Sequence, residues 1–162
     1  MRLHENLKII AFVGLIGSGK TTATSVLTEL GYPKVHIHPD NTRYEEELIS
    51  EIDHLIAAGQ HRIILDDIAS WKAYTRLLHE YPTALRTVAL FTPRHMRYHF
   101  VAARSNNPLT EAEAGQQDWR ALEKNNIGGP IATAQFVIQN DSTRDDLKRK
   151  VLAITKEAGF TY

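Results

Sequence analysis

The residues Gly14-Leu15-Ile16-Gly17-Ser18-Gly19-Lys20-Thr21 satisfy the phosphate-binding-loop pattern G-x-x-x-x-G-K-[ST] in full. Four constrained positions meet by chance in roughly one chain of this length in two hundred. The surroundings sharpen the match, because an apolar run from Lys8 to Val13 precedes it and a helical stripe of Val26, Leu27 and Leu30 follows. The glycines free the backbone for conformations that a Cβ would block. The loop amides and the helix start can then turn inward as an anion site for phosphates. Lys20 brings a mobile positive charge to the β- and γ-phosphates, and Thr21 offers a hydroxyl to Mg2+. The expected phosphate-contacting set is Gly14, Gly17, Ser18, Gly19, Lys20, Thr21 and Thr22. The competing reading is a plain glycine-rich turn.

A second competing reading of this stretch is a secretory leader, with Arg2 and Lys8 before the apolar run. Glu5 inside the basic region and Gly17 to Thr22 at the would-be cleavage site speak against it. No run approaches the roughly 20 apolar residues that span a bilayer. A protein without membrane contact and with a cytoplasmic location is expected.

Strand and helix signals alternate through the chain. Strands are expected at Lys8–Val13, Val35–His38, Arg62–Asp67, Leu85–Phe91 and Gln135–Gln139. Helices are expected over 20–30 with Gly31 as stop, and from Asp40-Asn41-Thr42 to Gly59 with Leu48, Ile52, Leu55 and Ile56 as the stripe. Thr42 with Glu45, and Thr110 with Glu113, have capping-box spacing. Ser70 is the expected cap of a helix that stops before Pro82. Thr92-Pro93 starts another helix, with Pro at its first position. Ser142 is the expected cap of the last helix, which carries Leu147, Val151, Ile154 and Ala158. Ser105-Asn106-Asn107-Pro108-Leu109 is the strongest loop signal. Such alternation predicts a three-layer α/β fold with a mainly parallel sheet.

Composition narrows the function. Lys plus Arg and Asp plus Glu are each 19, so the formal net charge is zero, which argues against nucleic acid as the main partner. Cysteine is absent, which excludes disulfides, thiolate metal sites and a Cys nucleophile. Guanine-specific GTPases carry an Asn-Lys-x-Asp element, and none occurs here. Between Arg86 and Arg104 the run Arg86, Arg94, His95, Arg97, His99 and Arg104 is uninterrupted by an acid. Phosphoryl transfer needs cations around the spread charge of the moving group and a flap that excludes water. A small kinase is therefore expected ahead of a motor or regulatory ATPase. A nucleotide-binding module without transfer, and an ATPase of a larger assembly, are the readings from other classes.

The whole chain resembles a P-loop kinase of the nucleoside-monophosphate-kinase group, in the branch that holds dephospho-CoA kinases and small deoxynucleotide kinases. The matching pieces are the loop, Asp40-x-x-Arg43, Ile63-Ile64-Leu65-Asp66, Arg97 with Arg104, Asp118 with Glu123, and the passage from Ile127-Gly128-Gly129-Pro130 to Val137-Ile138-Gln139-Asn140. The resemblance implies one P-loop kinase-like domain over 1–162 with a five-stranded parallel sheet in the order 2-3-1-4-5. It also implies a short acceptor-binding insert about residues 40–60 and a lid about 94–118. Arg97 and Arg104 would be lid arginines on the donor phosphates, and Arg43 would hold the acceptor's anion with Asp40 beside it. Asp66 would orient Mg2+ through water, and the passage after Asn140 would lie against adenine. ATP and Mg2+ are the implied cofactors. The partner is a small phosphate-bearing acceptor, first a (deoxy)nucleoside monophosphate and next dephospho-CoA. The chain departs from the pattern at Gln117, where many relatives have Arg, and at Asp66-Asp67, where they often have Asp-Gly. No sequence feature points to an oligomeric state.

Smaller signals have plainer readings. His36-x-His38 and His95/His99 have metal-ligand spacing without a third ligand nearby, so polar surface is the expected role. Glu45-Glu46-Glu47, Glu51 and Asp53 read as a solvated helix face. Trp71 and Trp119 are expected to pack in a core or an interface.

Overall fold

A computed structural model describes residues 5–161; Arg2 lies outside the described residues. Strand β1 (Lys8–Val13) is buried over all but its first residue. Its side chains divide between two apolar clusters, as the period-2 geometry of a strand requires. Ile9, Ala11 and Val13 face one cluster, and Ile10 and Phe12 the other. The strand is apolar without alternation because both faces are covered.

Helix α1 (Lys20–Thr28) returns the chain to β2 (Lys34–Val35), and α2 (Tyr44–Ala57) leads to β3 (Arg62–Leu65). Then follow α3 (Trp71–Glu80), β4 (Leu85–Phe91), α4 (Arg94–Ala102), α5 (Glu111–Glu123), the short α6 (Gly128–Ala132), β5 (Phe136–Gln139) and α7 (Arg144–Glu157). The sheet is parallel throughout, in the order β2-β3-β1-β4-β5. That is the expected order. Leu48 and Ile52 of α2 and Leu77 of α3 pack on one face of the sheet. Leu27 of α1 and Leu147 and Val151 of α7 pack on the other. Three layers result, each helix burying its own stripe.

Local chemistry explains most element ends. Ser70 is extended, and its hydroxyl accepts from the Ala73 amide. Thr110 and Glu113 form the reciprocal capping box ahead of α5. Gly31 and Gly59, with φ of 93° and 85°, stop α1 and α2 in the left-handed region.

Several boundaries differ from expectation: α1 ends at Thr28, β3 at Leu65 and β5 begins at Phe136, and four others have a visible cause. Thr42 and Glu45 make no capping box. The side chain of Asn41 instead closes a turn by accepting from the Arg43 amide at 2.8 Å and donating to Glu47, so α2 begins only at Tyr44. Thr143, not Ser142, caps α7, its hydroxyl accepting from the Asp146 amide. Pro93 stands at the cap position of α4, one residue before the first turn. Strand β2 stops at Val35 because its only neighbour stops at Leu65. The last ladder bond runs from the Asp66 amide to the Val35 carbonyl, and His36 and His38 leave the sheet.

These caps can be told apart by stability. Ser70→Ala should cost about 1 kcal/mol, the usual loss for an N-cap hydroxyl. Thr42→Ala should stay within about 0.5 kcal/mol, as for a surface change that breaks no bond. Urea unfolding followed by circular dichroism measures both.

Candidate functional site

Every strand of a parallel sheet presents its carboxyl end on the same edge, and ligands of such sheets bind there. Here β1 delivers the glycine-rich loop to that edge, and β3 delivers Asp66 and Asp67. From β4 comes Thr92, from β5 Asn140, and from the chain beyond β2 His38 and Asp40.

The loop depends on its glycines where it touches its neighbours. Gly17 and Gly19 have φ of 74° and 98°. A Cβ on Gly17 would stand 2.6 Å from the Arg97 carbonyl oxygen, and one on Gly19 would stand 2.5 Å from Asn140 Nδ2. A Cβ on Gly14 would meet Ser18 Oγ at 2.5 Å and the Leu90 carbonyl at 2.9 Å. The Ser18 hydroxyl is buried and has no hydrogen-bond partner among the described residues. Lys20 Nζ donates to the carbonyls of Gly14 at 2.6 Å and Leu15 at 3.2 Å, and it stands 3.9 Å from the Asp67 carboxylate.

Two cavities open on either side of Lys20. The first, about 620 Å3, is walled by the loop from Ile16 to Thr22, by Phe100 and Arg104, and by the start of α7. Its ionisable lining is Lys20, Arg104 and Arg144, without one acid, and Phe100 and Leu147 give it apolar walls. Cations, the glycine-rich loop and a hydroxyl at Thr21 suit a polyphosphate, and the apolar walls suit a flat base. The residues present therefore fit a nucleoside triphosphate. Of the expected set, Gly17, Ser18, Gly19, Lys20, Thr21, Thr22 and Arg104 line this cavity.

The second cavity, about 410 Å3, shares Ile16 and Lys20 with the first and adds Gly14 and Leu15. Its far wall carries His38, Asp40, Asp67, Gln117, Arg120 and Asn125. Arg120 of α5 pairs with Asp40 at 3.2 Å, across 80 residues of chain. Arg43 is exposed at the head of α2 and does not line the cavity.

The two adjacent aspartates face different partners. Asp66 is buried and accepts from Thr24 Oγ1 at 2.9 Å. Its other oxygen lies 3.3 Å from His36 Nδ1 and 3.6 Å from Lys34 Nζ. Asp67 accepts from the Ile68 amide with Oδ1 and turns Oδ2 toward Lys20. Burial pushes the Asp67 carboxyl above the ordinary carboxylate range; Lys20 and the Ile68 amide pull it down, and Asp66 adds to the rise. Asp67, not Asp66, is the carboxylate that faces Lys20. The Asp-Asp doublet was the visible signal, but strand periodicity does not say which member reaches the cleft. The hydroxyl of Thr21 and the carboxylate of Asp67 are hard oxygen donors of the kind Mg2+ takes.

Arg97 lies elsewhere than on an open flap. It is buried; Nη1 donates to the Ile16 carbonyl and to Asp118, both at 3.0 Å, and Nε donates to the Thr92 carbonyl at 3.2 Å. Tyr98 Oη donates to the other oxygen of Asp118 at 3.0 Å, and burial together with that bond raises the phenol's pKa. The phase of α4 is responsible, since Arg97, Tyr98 and Val101 form its buried face. His95 and His99 remain outside. Among the described residues no group of three or more His, Asp or Glu is placed to share a metal. Trp71 packs on Gly129 and against Tyr74, with ring centroids 5.3 Å apart, whereas Trp119 is exposed.

No family model matches the chain. A UPF0200 protein of Sulfurisphaera tokodaii is 27% identical over 93% of this chain and 97% of its own length. A UPF0200 protein of Thermococcus gammatolerans is 23% identical over 92% and 94%. Among solved structures, a shikimate kinase from Bacteroides thetaiotaomicron matches with a TM-score of 0.61 at 16% identity, over 94% of this chain and 98% of that one. A gluconokinase from Sinorhizobium meliloti matches with a TM-score of 0.65 at 15% identity, over 96% and 95%. A sugar kinase from Janibacter matches with a TM-score of 0.65 at 18% identity, over 96% and 99%. The fold is thus that of P-loop kinases, and the structural neighbours are small-molecule kinases.

The raised carboxyl of Asp67 has a measurable sign. A carboxyl that holds its proton more tightly when folded makes stability fall as pH rises through the interval between its unfolded and folded pKa values. Asp67→Asn removes that loss. The variant should melt above the parent at about pH 7, and the gain should vanish at about pH 3, below the unfolded carboxylate value. Paired thermal melts at the two pH values check it.

Proposed function

We propose that this chain is an ATP-dependent small-molecule kinase. Its nucleotide would sit in the cavity walled by the loop, and its acceptor in the cavity walled by Asp40, Asp67 and Arg120. The observation that carries the reading is the meeting of two cavities of different lining at one lysine. The loop side holds Lys20, Arg104 and Arg144 without an acid, and the far side sets Asp40 and Asp67 against Lys20 and Arg120. A hydrolase needs the first cavity only. A transferase needs both, with their occupants in line across Lys20.

In this reading the loop amides, Lys20 and Arg104 hold and neutralise the donor phosphates. A bound Mg2+ would supply positive charge against the charge that develops on the transferring phosphoryl group. Thr21 and Asp67 would hold it, with Asp66 one residue behind. Arg120, held by Asp40, would meet the acceptor's anion in this cavity, whereas Arg43 stands exposed at the head of α2, outside the lining. The segment from Ala103 to Thr110, between α4 and α5, is the part of the lid able to swing, and Arg104 stands at its start. A phosphate-bearing acceptor suits Arg120, and a nucleoside monophosphate is compact enough for about 410 Å3. Dephospho-CoA would leave its pantetheine arm in solvent. No helix among the described residues is long and apolar enough to cross a membrane.

ADP release should be measured with ATP alone and with nucleoside monophosphates, dephospho-CoA, shikimate and gluconate. Turnover that rises with one acceptor is the expected result. Hydrolysis indifferent to all of them, or binding without turnover, overturns the kinase reading. With the acceptor found, Lys20→Ala should lower kcat by about a thousandfold, as for loss of a charge that acts in the transition state. Arg120→Ala should raise the acceptor's KM by about tenfold and leave the KM for ATP unchanged. A fall in kcat alone would place Arg120 outside the acceptor site.

A further inference from the structure

Two side chains that no part of the sequence reading assigns to phosphate binding hold the same loop oxygen. Thr92 Oγ1, just past β4, donates to the Ser18 carbonyl at 3.1 Å. Asn140 Nδ2, just past β5, donates to it at 3.0 Å. Thr92 is buried, and its backbone carbonyl is held in turn by Arg97. The Asn140 amide is tied to the Phe91 carbonyl at 2.7 Å, so both anchors hang from the ends of neighbouring strands. Two donors thus fill both lone-pair directions of one carbonyl.

A trans peptide is planar, with its C=O and its following N–H pointing in opposite directions. No cis peptide bond occurs in the described chain. Holding the Ser18 carbonyl against the sheet wall therefore aims the Gly19 N–H the other way, into the cavity. The Ile16 carbonyl, held by Arg97 Nη1, does the same for the Gly17 N–H. Gly17 and Gly19 have the left-handed φ values that let alternate peptides turn in this manner. The close approach of Asn140 to Gly19 shows how tightly the wall and the loop meet.

We infer that Thr92 and Asn140 are positioning residues for phosphate recognition: by pinning the Ser18 carbonyl they fix the Gly19 N–H as a pre-aimed donor to a bound polyphosphate. The gain lies in preorganisation. A free loop must order its amides when the anion arrives, whereas this one meets the anion with its donors already turned. Asn140 also lines the same cavity as Phe100 and Leu147, so the wall that would face a base and the amides that face phosphates share one bolt. The inference rests on the loop being a polyphosphate site, as in the proposed function, but it needs neither a particular acceptor nor turnover.

The test uses inorganic tripolyphosphate with Mg2+ as the probe, titrated calorimetrically into the full chain, beside the thermal melt of each variant. Thr92→Val keeps the shape of the side chain and removes the donor; Thr92→Ser keeps the donor. Asn140→Leu keeps about the shape and removes the donor without adding a charge beside the anion. Thr92→Val and Asn140→Leu should each weaken tripolyphosphate binding by about tenfold or more, while Thr92→Ser stays within about threefold of the parent, in line with the loss or retention of one hydrogen bond. Because the two donors share one acceptor, the double variant Thr92→Val/Asn140→Leu should be weaker than the parent by a factor clearly different from the product of the single effects. Wild-type tripolyphosphate affinity in either Thr92→Val or Asn140→Leu overturns the inference. Equal weakening in Thr92→Ser and Thr92→Val also overturns it, because packing and not the hydroxyl would then be responsible. If Thr92→Val does not fold, Asn140→Leu, on a half-buried side chain, decides alone. A parent chain that fails to bind tripolyphosphate defeats the proposed function itself, whereas intact parent binding with unaffected variants defeats only this inference.

Discussion

The site depends on a loop whose outer side is pressed against the sheet. Gly17 and Gly19 approach the Arg97 backbone and the Asn140 side chain so closely that a methyl group would occupy the same space. The loop has one backbone bond of its own across the turn, from the Ser18 amide to the Leu15 carbonyl at 3.2 Å. The carbonyls of Ile16 and Ser18 are held instead by residues from the ends of β4, α4 and β5. A central position for β1 is what makes this possible. With β3 on one side and β4 then β5 on the other, the loop emerges among strand ends that can supply anchors. The five-stranded order and the aim of the loop amides are thus one fact at two scales.

Charge is divided about the same loop. Arg104 and Arg144 stand on the side of Phe100 and Leu147, and Asp40 and Asp67, with Arg120 paired to Asp40, on the other, with Lys20 between them. Arg97 belongs to neither group. A buried guanidinium is costly unless its donors are filled, and here two carbonyls and the Asp118 carboxylate fill them. That pairing explains why α5 carries a buried acid in an otherwise polar, exposed helix. It also joins α5 to the loop through side chains, since Asp118 touches Arg97 and Arg97 touches Ile16.

Much of this was legible in the sequence because it is local. A loop pattern, a strand buried on both faces, and the hydroxyl caps at Ser70 and Thr110 each require only neighbours in the chain, and each stands where expected. The misplaced features all needed a partner from afar or a choice between equals. Thr42 lost its cap role to the Asn41 turn, and Ser142 lost to Thr143 one residue on. The direction of Arg97 followed from the phase of α4 against a carbonyl 81 residues earlier. Asp67 and Arg120 reached the second cavity through the ends of β3 and α5, which no spacing rule joins. Thr92 begins a helix signal and Asn140 ends a quoted passage, but neither pattern says that the two side chains meet at one carbonyl. Their meaning appears only when the ends of β4 and β5 lie side by side, with the Asn140 amide on the Phe91 carbonyl.

The two arginines of α4 and its end make the same point in energetic terms. Arg97 and Arg104 are seven residues apart, close to two turns of a helix, so an uninterrupted helix would present them on one face. The helix stops at Ala102, and the chain turns into the Ser105–Pro108 loop, where Asn107 takes a φ of 51°. Arg104 is therefore released from the buried face that Arg97 occupies and enters the cavity mouth. One arginine is fixed behind the phosphate loop by three oxygens, and the other stays exposed in front of it. A substitution that lengthened α4 through Arg104 would bring both guanidinium groups to the Asp118 side, where one carboxylate cannot compensate two buried cations. The early end of α4 is accordingly as much a part of the site as the glycines of the loop.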